Sequence, residues 1–186
     1  MMFCLCCFTT LCFSQDKIEN LPQPHYHQQE TDPAWLRYAV QLHGHLGPML
    51  TFGARMGTAA LKAVDAKGYF DVDVTCEGPF VKPPESCFLD GIQISTGATL
   101  GKRNLQWIEG EKIMVHIKNI RSGKTAELKP KESFLALLPP SQKIGKETQK
   151  DIQNSQAADD HLYDDLARKI AAMPEMEILV IAYPHK

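Results

Sequence analysis

The segment LHGHLGP, residues 42–48, constrains the fold of this chain more than any other. Glycines at 44 and 47 weaken a helix, and Pro48 lacks the N–H and the room that a continuing helix needs. Two helices must therefore meet here instead of one. Upstream, Asp32-Pro33 is a helix start, with Asp as N-cap and Pro in the first turn. Trp35, Leu36, Ala39, Val40 and Leu42 form an apolar stripe, which predicts a helix over 33–43. Downstream, Pro48 opens a second helix over 48–67, where Leu50, Phe52, Met56, Ala59, Ala60, Ala63 and Val64 recur at helical spacing. Gly53, Gly57 and Ala60 keep one of its faces small, so another element is expected to approach closely there.

The next pattern has period two. In YFDVDVTCE, Phe70, Val72, Val74 and Cys76 alternate with Asp71, Asp73 and Thr75, predicting a strand over 69–76 with one buried face. Cys76 on that face reads as a buried core cysteine. GPFVKPPE breaks regular structure, and a helix can begin at Glu85-Ser86 and run through CFLDGIQIST. GATLGKRNL is a glycine-punctuated loop. Strands over 112–120 and 124–130 follow, joined by Arg121-Ser122-Gly123 as a hairpin turn, with His116 on the face opposite Val115 and Ile117. Residues 139–157 form a polar connection, and Asp159 or Asp160 caps a helix over 159–172. The apolar run EILVIAY predicts a last strand over 177–183, expected in the middle of the sheet. The sum is an α+β protein: a mixed or antiparallel sheet packed by several helices in a single domain.

Composition narrows the function classes. With 186 residues, 44% of them apolar and 23% charged, the chain can bury an ordinary core. A net charge of −2 offers no concentrated basic face for nucleic acid or anionic lipid. Residues 1–14 of the uncharged leader MMFCLCCFTTLCFSQ read as a signal peptide cleaved before Gln15. They fall short of the roughly 20 apolar residues that a membrane span needs. The chain is therefore expected to be exported, with an exposed arm over 15–31 and a domain over 32–186. The arm's His25 and His27 are assigned no role. Four of the six cysteines lie in the leader, leaving Cys76 and Cys87, too few for a disulfide scaffold.

Three groups of residues can carry chemistry. On a continuing helix, His43 and His45 would point about 200° apart, whereas in an extended turn residues two apart face the same way. Gly44, Gly47 and Pro48 favour the turn, so both rings can address one point. Cys87 falls in the first turn of a helix, where free N–H groups and the dipole stabilise thiolate, the form that binds metals and attacks electrophiles. Asp90 and Gly91 share its helix face, with Gly91 leaving room beside them. The loop TGATLGKRN fails the Walker pattern, because only three residues separate its glycines and Arg103 follows Lys102. Backbone N–H groups and Lys102 could still hold an anion there.

HGHLGP, then GARMG, then CFLDGIQISTGATLGKRNL, in this order, resemble the E-subunit (FmdE) domain of formylmethanofuran dehydrogenase over about residues 35–130. The resemblance implies an α+β domain with a metal, usually taken as zinc, near the His-Gly-His turn and the motif cysteine. It matches His43 and His45 to the family's histidines and Cys87, Asp90 and Gln93 to its second motif. Thr99, Gly101 and Lys102 match the motif's loop and are the candidate cofactor-binding residues. Gly47 stands where the family often has cysteine, and Met49 where it often has glycine. The fourth ligand would then be another group, such as Glu77, or water. The cysteine-rich tail of some members is absent.

The resulting expectation is an exported metal-binding protein with a half-open site, in which His43, His45 and Cys87 hold a transition metal, zinc fitting imidazole and thiolate best. Cys87, Asp90 and Lys102 are the candidate catalytic residues, for redox or hydrolytic chemistry. Two other readings remain: a non-catalytic carrier of metal or ligand, and a metal-free enzyme with Cys87 as nucleophile and His45 as base. The partner is an unspecified small molecule or protein, and a homo-oligomer is compatible with the sequence.

Overall fold

The computed structural model describes residues 20–138 and 163–184. The leader, the polar connection over 139–157 and the helix cap expected at Asp159 or Asp160 lie outside these residues. Helices α1 (Ala34–His43) and α2 (Pro48–Val64) flank the Gly44–Gly47 break, as expected. Strand β1 (Val72–Gly78) is followed by helix α3 (Cys87–Thr96) and strand β2 (Leu105–Glu109). Strands β3 (Met114–Asn119) and β4 (Thr125–Pro130) form a hairpin. A helical turn α4 (Glu132–Leu135), helix α5 (described over 163–172), a second helical turn α6 (Glu175–Ile178) and strand β5 (Leu179–Ala182) complete the order. The strands form one mixed sheet in the order β2-β1-β3-β4-β5, parallel only between β1 and β2. The architecture is α+β.

Three local expectations are corrected. The first strand starts at Val72, because Gly68 (φ 89°) and Tyr69 (φ 56°) wind the chain into a 3-10 turn over Tyr69–Asp71. Phe70 is consequently 69% exposed instead of facing the core. The last strand lies at the sheet edge, and β3 is central. After Pro174 the chain forms the helical turn α6, so only Ile178 and Leu179 of the apolar run reach the core while Val180 is exposed. The stretch NLQWIE, read as the end of a loop and its sequel, forms β2 and gives the sheet its parallel edge. A parallel pair requires a crossover, and α3 supplies it.

The core lies between the sheet and the helices. Phe52 of α2 meets Phe88 of α3 at 5.1 Å and Phe134 of α4 at 4.7 Å between ring centroids, and Phe80 stacks on Phe88 at 5.0 Å. Val72, Val74 and Cys76 of β1 point into the same cluster. A second cluster joins α1 and α5 through Leu36, Val40, Ala167 and Ala171.

The segment ahead of α1 runs mostly exposed along the surface, but it is tied down. Tyr26 is buried in the second cluster, and the His25 N–H donates to the Gly44 carbonyl at 2.7 Å. Asp32 does not cap α1, whose N-cap is Pro33 with no side-chain bond. Its carboxylate instead accepts from Arg168 Nε at 2.8 Å, from the Tyr26 hydroxyl at 2.7 Å and from the Gln29 N–H at 2.9 Å. An arginine from α5 offers a buried carboxylate more than its own helix end could.

Candidate functional site

Two backbone devices position the site. Gly44 takes the left-handed conformation (φ 101°) and closes α1 with its N–H on the Val40 carbonyl. His43 is thus the last helical residue and His45 lies outside the helix. Their rings sit side by side, 4.6 Å between centroids and tilted by 44°. The second device is the close approach of α2 and α3. A Cβ on Gly53 would strike the Phe88 carbonyl oxygen, and one on Gly91 would strike the Leu50 carbonyl oxygen. The missing side chain of Gly91 is therefore filled by the α2 backbone, not left open beside Cys87 as the sequence suggested. The small face expected of α2 is the one that meets α3.

With the helices held this way, the first turns of α3 face the end of α1. His43 Nδ1 donates to Asp90 Oδ2 at 2.7 Å, and Gln93 Nε2 donates to Asp90 Oδ1 at 3.2 Å. Both carboxylate oxygens are engaged, so the His43 ring is fixed in orientation. Asp90 foremost, and Cys87 beside the same ring, favour the imidazolium over the opposing effect of burial and raise the His43 pKa to about 9. Nε2 of His43 is buried without a hydrogen-bond partner of ordinary geometry. A buried ring nitrogen left unpartnered is costly and calls for a water, an ion or a ligand.

His43, Cys87, Asp90 and Gln93 line one side of a pocket of about 300 Å³, with Ser86 at the start of α3. Its other wall is apolar: Leu100, Leu105 and Trp107 from the loop after α3 and from β2. None of these three was assigned a role in the sequence. The only usable signal was a tryptophan beside a leucine two residues away, which becomes informative once NLQWIE is known to be a strand.

The other expected site residues lie apart from the pocket. His45 packs on His43 but does not line the cavity, and it forms an isolated parallel bridge with His25. Thr99, Gly101 and Lys102 form a loop closed on itself. Thr99 Oγ1 accepts from the Lys102 backbone N–H at 3.1 Å and from its Nζ at 3.5 Å, and the Lys102 ammonium lies 5.7 Å from the Phe70 ring centroid. From that loop only Leu100 reaches the pocket. Glu77, the suggested further ligand, faces His116, whose Nε2 is 3.9 Å from its carboxylate. Cys76 is buried in the core as expected, and burial pushes its thiol up to about 12, so it stays protonated and inert.

The donors fit a transition metal at one corner. His43 offers a buried, unpartnered Nε2 held from behind by a carboxylate, the arrangement that orients metal-binding histidines. Cys87 offers a sulfur in the same cavity. Among the described residues, however, no three His, Cys, Asp or Glu side chains gather closely enough to hold one ion. Among the same residues, no helix is long and apolar enough to cross a membrane.

Comparison with known proteins agrees with this architecture. A probable S-adenosyl-L-methionine-binding protein of Archaeoglobus fulgidus is 29% identical over 75 residues, which span 38% of this chain and 19% of that protein. An FmdE-like protein of the tungsten formylmethanofuran dehydrogenase type, from Syntrophus aciditrophicus, matches in structure with a TM-score of 0.50 and 18% identity. That match covers 80% of this chain and 68% of the other, and at this identity it shows the fold. The model of the family described as FmdE, molybdenum formylmethanofuran dehydrogenase operon, matches residues 42–180, from the last turn of α1 into β5, and the chain belongs to that family.

Proposed function

We propose that the pocket between the end of α1 and the start of α3 is a transition-metal site anchored by His43 Nε2 and Cys87 Sγ. The observation that carries this reading is the buried, unpartnered Nε2 of a histidine whose other nitrogen is locked by Asp90. His45, stacked beside His43, is the nearest further imidazole and completes the donor set after a small adjustment of its ring. Asp90 and Gln93 act from behind: they hold the ring so that Nε2 points at the ion. Imidazole with thiolate suits zinc, and a site short of protein ligands leaves a position for water or substrate. Bound there, a zinc ion supplies Lewis acidity and a water acidified toward neutral pH. Elemental analysis of untagged protein tests the reading: one equivalent of metal, lost in His43→Ala and Cys87→Ala, is expected. Wild-type protein free of transition metal, or Cys87→Ala at full stoichiometry, would sink it.

A second reading draws on the same geometry. Cys87 at the first turn of α3, His43 beside it and Asp90 behind His43 also form the line of a metal-free cysteine nucleophile with its base. In that case the base is His43, not the His45 expected from the sequence. Alkylation of Cys87 by iodoacetamide separates the two: zinc protects the thiol under the first reading and is without effect under the second.

A further inference from the structure

The pocket is far larger than a metal ion needs. A water occupies about 30 Å³, so a cavity near 300 Å³ has room for an ion, its waters and an organic molecule besides. Its two sides also differ in chemistry. The polar groups sit on α1 and α3, whereas the facing wall is Leu100, Leu105 and Trp107. Leu105 is buried, but Leu100 is 67% exposed and Trp107 41%, so two large apolar side chains flank the cavity in contact with water. Apolar walls around a few converging polar groups are the general pattern of small-molecule sites. A site for metal alone gains nothing from such a wall.

We infer that the pocket binds a small organic ligand with a flat ring that packs on Trp107 while its polar end reaches toward His43 and Cys87. The ring side rests on the cavity alone; the contact of the polar end with an ion rests on the metal reading above. Trp107 pairs with Cys76 across the parallel β1–β2 ladder, so it is carried by a strand backbone fixed on one side. That gives the ring a rigid platform at low entropic cost, and Leu100 closes the outer side.

Two hydroxamates sharing one chelating head test this on the full chain loaded with zinc. Benzohydroxamate carries a ring and acetohydroxamate does not. Benzohydroxamate is expected to bind wild-type protein about tenfold more tightly, the worth of one aromatic contact of about 1.4 kcal/mol. Trp107→Ala should bring the two probes to within about twofold, about 0.4 kcal/mol, with acetohydroxamate binding unchanged. Leu100→Asn, on an exposed loop and harmless to the strand, should lower the ring preference in the same direction. Equal affinities in wild-type protein, or a ring preference that survives in both variants, overturn the proposal and leave the metal reading intact. If zinc does not load, the metal reading fails, and saturation transfer to the benzohydroxamate ring on metal-free protein decides the ring site. Transfer that is lost in Trp107→Ala supports it, and no transfer in wild-type protein overturns it.

Discussion

Single residues decide whether the donors converge. Asp90 touches no ion in the proposed site, yet it holds His43 Nδ1 at 2.7 Å and so selects Nε2 as the binding atom. Asp90→Asn is expected to lower zinc affinity by roughly 10–100-fold, the usual cost of losing an outer-shell partner, with the circular dichroism spectrum unchanged. An affinity equal to wild type would show that the ring needs no such support. Gly47 makes the opposite prediction. Its backbone is extended (φ −143°), and a Cβ there would lie 3.4 Å from His45 Nε2 with only that ring nearby. A side chain at 47 is thus allowed, and it would stand beside the second histidine. Gly47→Cys should add a donor and tighten zinc binding by about tenfold or more, at least about 1.4 kcal/mol, as read by competition with a chelator. Unchanged affinity would mean that His45 lies outside the site.

At the scale of elements, the contact of α2 with α3 is what brings Cys87 and Asp90 to the end of α1. Gly53→Ala or Gly91→Ala would press a methyl into a carbonyl oxygen of the facing helix. Because backbone cannot rotate away, each should cost about 1–3 kcal/mol in urea unfolding and loosen metal binding together with stability. Stability lost with metal affinity intact would place the site elsewhere. The sheet gives a second prediction. As an edge strand, β5 is hydrogen-bonded only to β4, while β3 is bonded on both sides. Amides of 179–182 should exchange earlier than those of 114–119, which open only with the whole domain.

At the scale of the molecule, α5 and the segment before α1 are joined by Arg168, Asp32 and Tyr26. Burial alone would raise the Asp32 pKa, but Arg168, the Gln29 N–H and the Tyr26 hydroxyl together hold it below the usual carboxylate value. A depressed carboxylate contributes stability above its unfolded pKa, about 3.9, and that stability is lost as pH falls through the lower folded value. Burial, then Asp32, push the Tyr26 hydroxyl the other way, so its contribution is present below about 10 and fades as pH rises further. Docking of the segment should therefore hold across neutral pH and fail in strong acid and strong alkali, as followed by limited proteolysis around 20–31. Arg168→Ala strands the Asp32 carboxylate, whose side chain is 3% exposed, and should cost about 3 kcal/mol. Cleavage as slow as wild type would refute the anchor.

Local rules in the sequence determined much of this protein. Gly44, Gly47 and Pro48 dictated the break between α1 and α2, because backbone sterics act without reference to the rest of the chain. The alternation from Val72 to Cys76 dictated a half-buried strand for the same kind of reason. The motif around Cys87 carried the family, which the match over residues 42–180 shows. What the tertiary structure alone decided concerns partners distant in sequence. The apolar run at 177–183 could not say whether strands flank it, since an edge strand with one buried face and a central strand can share a composition. Asp32 had two uses open to it, and only the arrival of Arg168 from α5, 136 residues away, chose between them. Likewise Leu100 and Trp107 became a pocket wall only because α3 crosses over to set β2 beside β1, a pairing that no local spacing encodes.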